Sequence, residues 1–270
     1  VMCIYVGAVK AFGVSGGAQE WVRLLSGRVR ITAVTAAAPT ILATTMGFHR
    51  GGRAWTPSPV FDLAFRLAGD SEQPRLCLLA TGSGDSPSSI VGFYGAFAGS
   101  RVQASHVALF EMPNVEDVAS HLLAQDVIWV DRGSVVNLLA VWRAHQLDEV
   151  LHRCWQAGVV LAGESAGSLC WHAAGSTDAY GPGLSVTSGL GWLPYANAVH
   201  YRERRKHFHR AMRDGLMPDI GYATDVGAGL VYRGTDLVEV VVDRSGAGGY
   251  RVQVAGGEVV ESALPVRRLG

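Results

Sequence analysis

The chain has 270 residues, 49% of them hydrophobic and 17% charged, which is enough apolar material for one large α/β domain or two small ones. Its 23 basic and 23 acidic side chains cancel, so no global field draws it to nucleic acid or an anionic membrane. Four cysteines, Cys3, Cys77, Cys154 and Cys170, lack CxxC spacing, so neither a zinc site nor a disulfide framework is expected, and a reducing cytoplasm is the simplest home.

The first apolar stretch is too short to span a bilayer, and it lacks the basic start and small-residue cleavage site of a signal peptide. Val1 is what literal translation of a GTG start codon gives, so residues 1–38 are expected to be an extension or an upstream start, with the domain opening near Pro39. Residues 39–47 read as a strand ending in a glycine turn, 61–68 as a helix, and 75–85 as a buried strand entering a Gly/Ser loop. A helix over 88–99 is closed by Gly99, and 102–110 reads as a further strand. Strand 127–130 leads through a turn into helix 135–145, a helical segment over 147–158 and strand 159–163. Residues 174–198, rich in glycine and turn formers, are expected to form a long active-site loop. A basic helix over 200–215 follows, and the tail from Leu230 reads as antiparallel hairpins. Apolar strands alternating with helices predict an α/β class, with a mostly parallel sheet covered on both faces. One catalytic domain over 39–270 is expected.

Gly163-Glu164-Ser165-Ala166-Gly167 fits G-x-S-x-G between a strand and a helix. Such a turn lifts the serine oxygen above the sheet, and the N–H groups of the following helix start, that of Ala166 among them, can receive an oxyanion. The plain alternative is a Gly/Ser turn without chemistry. A serine nucleophile needs a base. Of nine histidines, His200 follows the glycine-rich segment and precedes the basic helix, where a loop can hang a side chain over the sheet edge. The run Arg202 to Lys206 is either a solvated helix face or a grip for an acidic group. Asp85 and Ser86 either line a pocket or stabilise a turn. No metal, dinucleotide or other cofactor motif is present in the sequence.

The segments LLATGSGDSP, NLLAVWRAHQLDEVL, AGVVLAGESAGSLCW, AVHY and GYATDVGAGLVYRG resemble, in order and spacing, those of the dipeptidase E family, peptidase S51. The resemblance runs from about Pro39 to the C-terminus. It implies a class I glutamine-amidotransferase-like, three-layer α/β/α fold, a Ser–His–acid triad and removal of N-terminal aspartate from short peptides. Carried over by motif, Ser165 is the nucleophile and His200 the base, and the oxyanion turn is Asp131-Arg132-Gly133, with Gly133 and Ala166 as donors. Arg204 and Arg205 match an arginine pair that grips the substrate carboxylate. Two departures stand out. Charged Asp131 and Arg132 occupy positions that are glycine in relatives, which either damages the turn or retunes it. Aligning on Gly227 puts Val226 at the acid position, leaving Asp225, one residue away, as the candidate triad acid.

The leading expectation is a cytoplasmic serine hydrolase of small acidic peptides, without cofactor, nucleic-acid or membrane partner and with no oligomeric state implied. The alternatives are a weakened or repurposed relative that binds or processes a non-peptide ligand, and a cyanophycinase-like isopeptidase.

Overall fold

Strands that are apolar along their whole length belong inside a sheet with helices on both faces. The computed structural model describes residue 36 and residues 38–52 and 54–270, so residues 1–35 and 37 of the expected extension lie outside the described residues. In chain order the elements are β1 (Thr40–Thr44), a short pair β2 (Phe48–His49) and β3 (Thr56–Pro57), α1 (Val60–Leu67), β4 (Arg75–Leu79), α2 (Pro87–Phe97), β5 (Gln103–Val107), α3 (Val118–Leu123) and β6 (Val127–Val130). Next come α4 (Val135–Ala144), α5 (Leu147–Gln156), β7 (Val160–Glu164), the single turn α6 (Ala166–Leu169), β8 (His172–Thr177), β9 (Ser185–Ser188), β10 (Leu193–Ala198) and α7 (Tyr201–Arg213). The chain closes with β11 (Ile220–Thr224), β12 (Ala228–Arg233), β13 (Asp236–Val242), β14 (Gly249–Ala255), β15 (Glu258–Ala263) and β16 (Arg267–Arg268).

The main sheet has the order β16-β13-β12-β1-β7-β6-β4-β5. From β1 to β5 every pairing is parallel, and β12 closes that side antiparallel to β1. Alternate residues face opposite layers, as the strand period requires. Ile41, Ile128 and Leu161 pack with Leu138, Trp142, Leu151 and Trp155 of α4 and α5. Leu42, Trp129 and Val160 pack with Phe61 of α1 and Phe93 of α2. The α/β/α layering follows from the two apolar faces, with the carboxyl ends of β4, β6 and β7 opening on one edge of the sheet, where ligands bind in such folds.

Residues 174–198 are not a loop. They supply most of β8, all of β9 and all of β10, which join β11, β14 and β15 in a second sheet ordered β15-β14-β11-β10-β8-β9. Apart from His172, Val186, Leu193, Pro194 and Tyr195 these strands are built from Ala, Gly, Ser, Thr and Asn, so they carry little apolar periodicity to be read. Their burial comes instead from α7, whose Tyr201, Phe208 and Met212 cover Ala196, Ala198 and Val252. The C-terminal hairpins are divided, β12–β13 joining the main sheet and β14–β15 the second. The sheets meet at Tyr232 of β12, fully buried against His172 of β8, Tyr195 of β10 and Tyr222 of β11. The His172 Nδ1–H donates to the Ser168 carbonyl (2.9 Å), which leaves Nε2 to accept from the Tyr232 hydroxyl (3.2 Å). Among the described residues no helix is long and apolar enough to cross a membrane.

Candidate active site

Strand β7 delivers Glu164 and Ser165 to the edge of the sheet, and the chain turns at once into α6. Ser165 takes φ 59 and ψ −104, a conformation a side chain rarely tolerates, and its N–H is tied to the Thr44 carbonyl at 3.0 Å. The flanking glycines make this turn sterically feasible: a Cβ at Gly163 or at Gly167 would overlap the Val130 carbonyl of β6. The N–H of Ala166 opens a helical turn, where no intrahelical acceptor exists for it.

His200 also has left-handed backbone, φ 52 and ψ 48, at the end of the connection from β10 into α7. That kink turns the ring back over the elbow, and His200 Nε2 lies 3.2 Å from Ser165 Oγ. The sequence-derived nucleophile and base are thus brought within hydrogen-bonding reach although they stem from different sheets. Burial pushes the His200 pKa down, and Arg204 pushes it the same way. Glu203 and Asp178 act against that shift, and Arg132 adds a smaller lowering. Neutral imidazole, the form a general base must have, is therefore favoured at neutral pH.

The turn expected to receive the oxyanion follows β6. Gly133 has φ 136 and lies directly on the loop after β4, where a Cβ would overlap the Gly82 carbonyl, and Ser134 N–H donates to that carbonyl at 2.8 Å. Asp131 is 1% exposed and accepts a hydrogen bond from the Arg50 guanidinium. The same guanidinium lies 3.2 Å from Glu164 Oε2 and sits over the Trp55 ring, 4.4 Å from its centroid. A buried Asp131–Arg50–Glu164 group therefore joins the root of this turn to the residue before Ser165. Burial raises the Glu164 pKa, with Arg50 as the strongest opposing influence. Arg50 carries no sequence motif and reaches the site from the connection between β2 and β3, so only the fold discloses it.

Asp225 lies in the turn between β11 and β12, where its side chain is buried and Val226 is exposed. Its carboxylate accepts from Gly248 N–H and Tyr250 Oη, both at 3.1 Å, and lies 3.3 Å from Arg202 Nε. No hydrogen bond joins it to His200 among the described residues, although both side a cavity of about 150 Å³ with Arg202, Val226 and Arg244. Arg204 donates to the Ser176 carbonyl (2.8 Å) and pairs with Asp178 (3.3 Å), and Arg205 pairs with Glu261 (2.8 Å). Both arginines expected to grip substrate are thus held by protein groups. Asp85 accepts from the N–H groups of Leu109 and Phe110, so it clamps a turn. Ser86 caps α2 by position only, with its hydroxyl 2.8 Å from that of Ser88.

Over residues 59–240 the chain matches the model of peptidase family S51. It is 42% identical over 202 residues to the uncharacterized peptidase YgaJ of Bacillus subtilis strain 168, an alignment that spans 74% of this chain and 86% of that one. Among solved structures, a peptidase from an acI-B1 actinobacterium superposes with a TM-score of 0.56 at 18% identity, over 83% of this chain and 97% of its own. A putative peptidase E protein from Listeria monocytogenes EGD-e gives 0.50 at 13% identity, over 84% of this chain and 98% of its own. At those identities the two structures speak for the fold alone, and they agree with the mixed sheet described above.

Proposed function

The chain belongs to peptidase family S51, and from that premise we propose that it is a serine peptidase that releases an N-terminal acidic residue from short peptides. Ser165 attacks the scissile carbonyl while His200 Nε2 takes its proton. The negative charge that forms on the carbonyl oxygen is received by the N–H groups of Ala166 and Gly133. The imidazolium then protonates the leaving amine, and water, deprotonated by the same ring, frees the acyl group. The observation that carries this reading is the 3.2 Å approach of His200 Nε2 to an oxygen held on a strained elbow.

For the acid that steadies the imidazolium we assign Asp178 ahead of Asp225. The charge of Asp178 acts on His200, and Arg204 holds it beside the same helix end, whereas the Asp225 carboxylate is engaged by Gly248, Tyr250 and Arg202. The test is turnover of Asp-Leu. Ser165→Ala should lose activity by a factor on the order of 10⁴ or more, and equal rates from the two proteins would remove the reading. Asp178→Asn should lower kcat by about 10⁴, as loss of a triad acid does elsewhere, and Asp225→Asn by far less. The reverse ranking would return the acid role to Asp225.

One observation favours a second reading, a family member with weakened hydrolysis that has come to bind a non-peptide ligand. No acceptor bonds His200 Nδ1 among the described residues, so the ring is not locked in its productive tautomer by a direct carboxylate contact. Wild-type turnover of Asp-Leu no better than that of Asp178→Asn would support it.

A further inference from the structure

The charged turn Asp131-Arg132-Gly133 divides its work among its residues. Asp131 points inward, where Arg50 binds it, and this anchors the turn to the nucleophile strand through Glu164. Gly133 lies on Gly82 with a backbone only glycine adopts readily, so its place in the turn is fixed. Between these two fixed points stands Arg132, whose side chain is exposed. Among the described residues it makes no ion pair and no side-chain hydrogen bond. The other arginines around the site differ in this respect: Arg50, Arg202, Arg204, Arg205 and Arg244 each face a carboxylate within 4 Å. The charge of Arg132 nevertheless acts on both Glu164 and His200, the groups on either side of Ser165. Arg50 is engaged by both Asp131 and Glu164, whereas Arg132 has no such partner among the described residues.

We propose that Arg132 is the specificity residue of this peptidase: its guanidinium binds the side-chain carboxylate of the substrate's N-terminal residue. The geometry suits that task. Arg132 adjoins the oxyanion donor Gly133, so it flanks the residue whose carbonyl is attacked. An aspartyl carboxylate stands only one Cα and one Cβ away from that carbonyl carbon. A planar guanidinium can take both carboxylate oxygens at once, and a cation without an internal partner has no ion pair to break before binding. The glycine turn of relatives has thereby acquired an anchor, Asp131, and a recognition group, Arg132, and the roles expected of Arg204 and Arg205 pass to the oxyanion loop.

The proposal rests on the serine-peptidase reading, and the experiment separates the two. Wild type, Arg132→Ala, Arg132→Lys and Arg205→Ala are assayed on Asp-Leu and on the uncharged isostere Asn-Leu, and each is labelled at Ser165 with a fluorophosphonate. Arg132→Ala is expected to lower kcat/KM for Asp-Leu by about 10²-fold, the loss of a charge-assisted pair, mainly through KM, while the Asn-Leu rate and labelling stay near wild type. Arg132→Lys should recover part of the loss, since the charge returns without the bidentate geometry. The proposal is overturned if Arg132→Ala depresses both substrates equally, if wild type does not prefer Asp-Leu, or if Arg205→Ala changes the Asp/Asn ratio more than Arg132→Ala does. Failure of Ser165 to label in wild type would instead sink the peptidase reading, and the proposal with it.

Discussion

At the scale of single residues the site turns on two strained backbones, Ser165 and His200, each with positive φ. Such conformations persist only where surrounding contacts over-determine them, and here the Thr44 carbonyl, the elbow glycines and the start of α7 do so. The depressed pKa of His200 has a direct kinetic consequence. On the proposed mechanism the base works as neutral imidazole, so activity disappears only when pH falls through its lowered pKa. The acid limb of kcat/KM for Asp-Leu should therefore have its midpoint below 6.5, the ordinary imidazole value. Arg204→Met, which removes a cation that helps to lower this pKa, should move the midpoint upward. A limb at or above the ordinary value in wild type would contradict the description of a partly buried, cation-flanked ring.

At the scale of elements, the main sheet was legible because parallel strands buried on both faces announce themselves as apolar runs, and G-x-S-x-G was legible because strand, turn and helix meet there. The second sheet was not. His172–Thr177 and Leu193–Ala198 are mostly small residues, and the burial of Ala174, Ala196 and Ala198 is conferred by α7, a long-range property with no local periodicity. The partners of Asp225 were equally hidden. Asp225 was picked out by its distance from a glycine, whereas hydrogen bonds to Gly248 and Tyr250 decide where its carboxylate points. Arg50 was out of reach for the same reason, since its partners Asp131 and Glu164 are far away in sequence. That group makes its own prediction. Arg50→Met leaves two carboxyl groups buried without their cation, which should destabilise the fold by about 3–5 kcal/mol, read as a lower urea midpoint. Adding Asp131→Asn and Glu164→Gln to Arg50→Met should recover much of that loss. A single variant as stable as wild type would mean that the ion group ties nothing together.

At the scale of the whole molecule, Ser165 ends a strand of the main sheet, whereas His200 hangs from the end of β10 in the other. What holds the two layers in register is the buried contact of Tyr232 with His172, Tyr195 and Tyr222. Burial depresses the His172 pKa from 6.5 to about 4. Between those values the unfolded chain takes up a proton that the folded one refuses, so the contribution of this site to stability is complete above 6.5 and is lost progressively as pH falls toward 4. Urea midpoints should fall over that window, and less steeply in His172→Gln; an identical slope in both proteins would assign the acid sensitivity elsewhere. Because Ser165 and His200 ride on separate layers, turnover on the proposed mechanism is a gauge of how well those layers are seated. A slip of an ångström or two at the tyrosine seam would leave every strand intact and still silence the enzyme, much as a lock with sound pins fails once its cylinder is out of line.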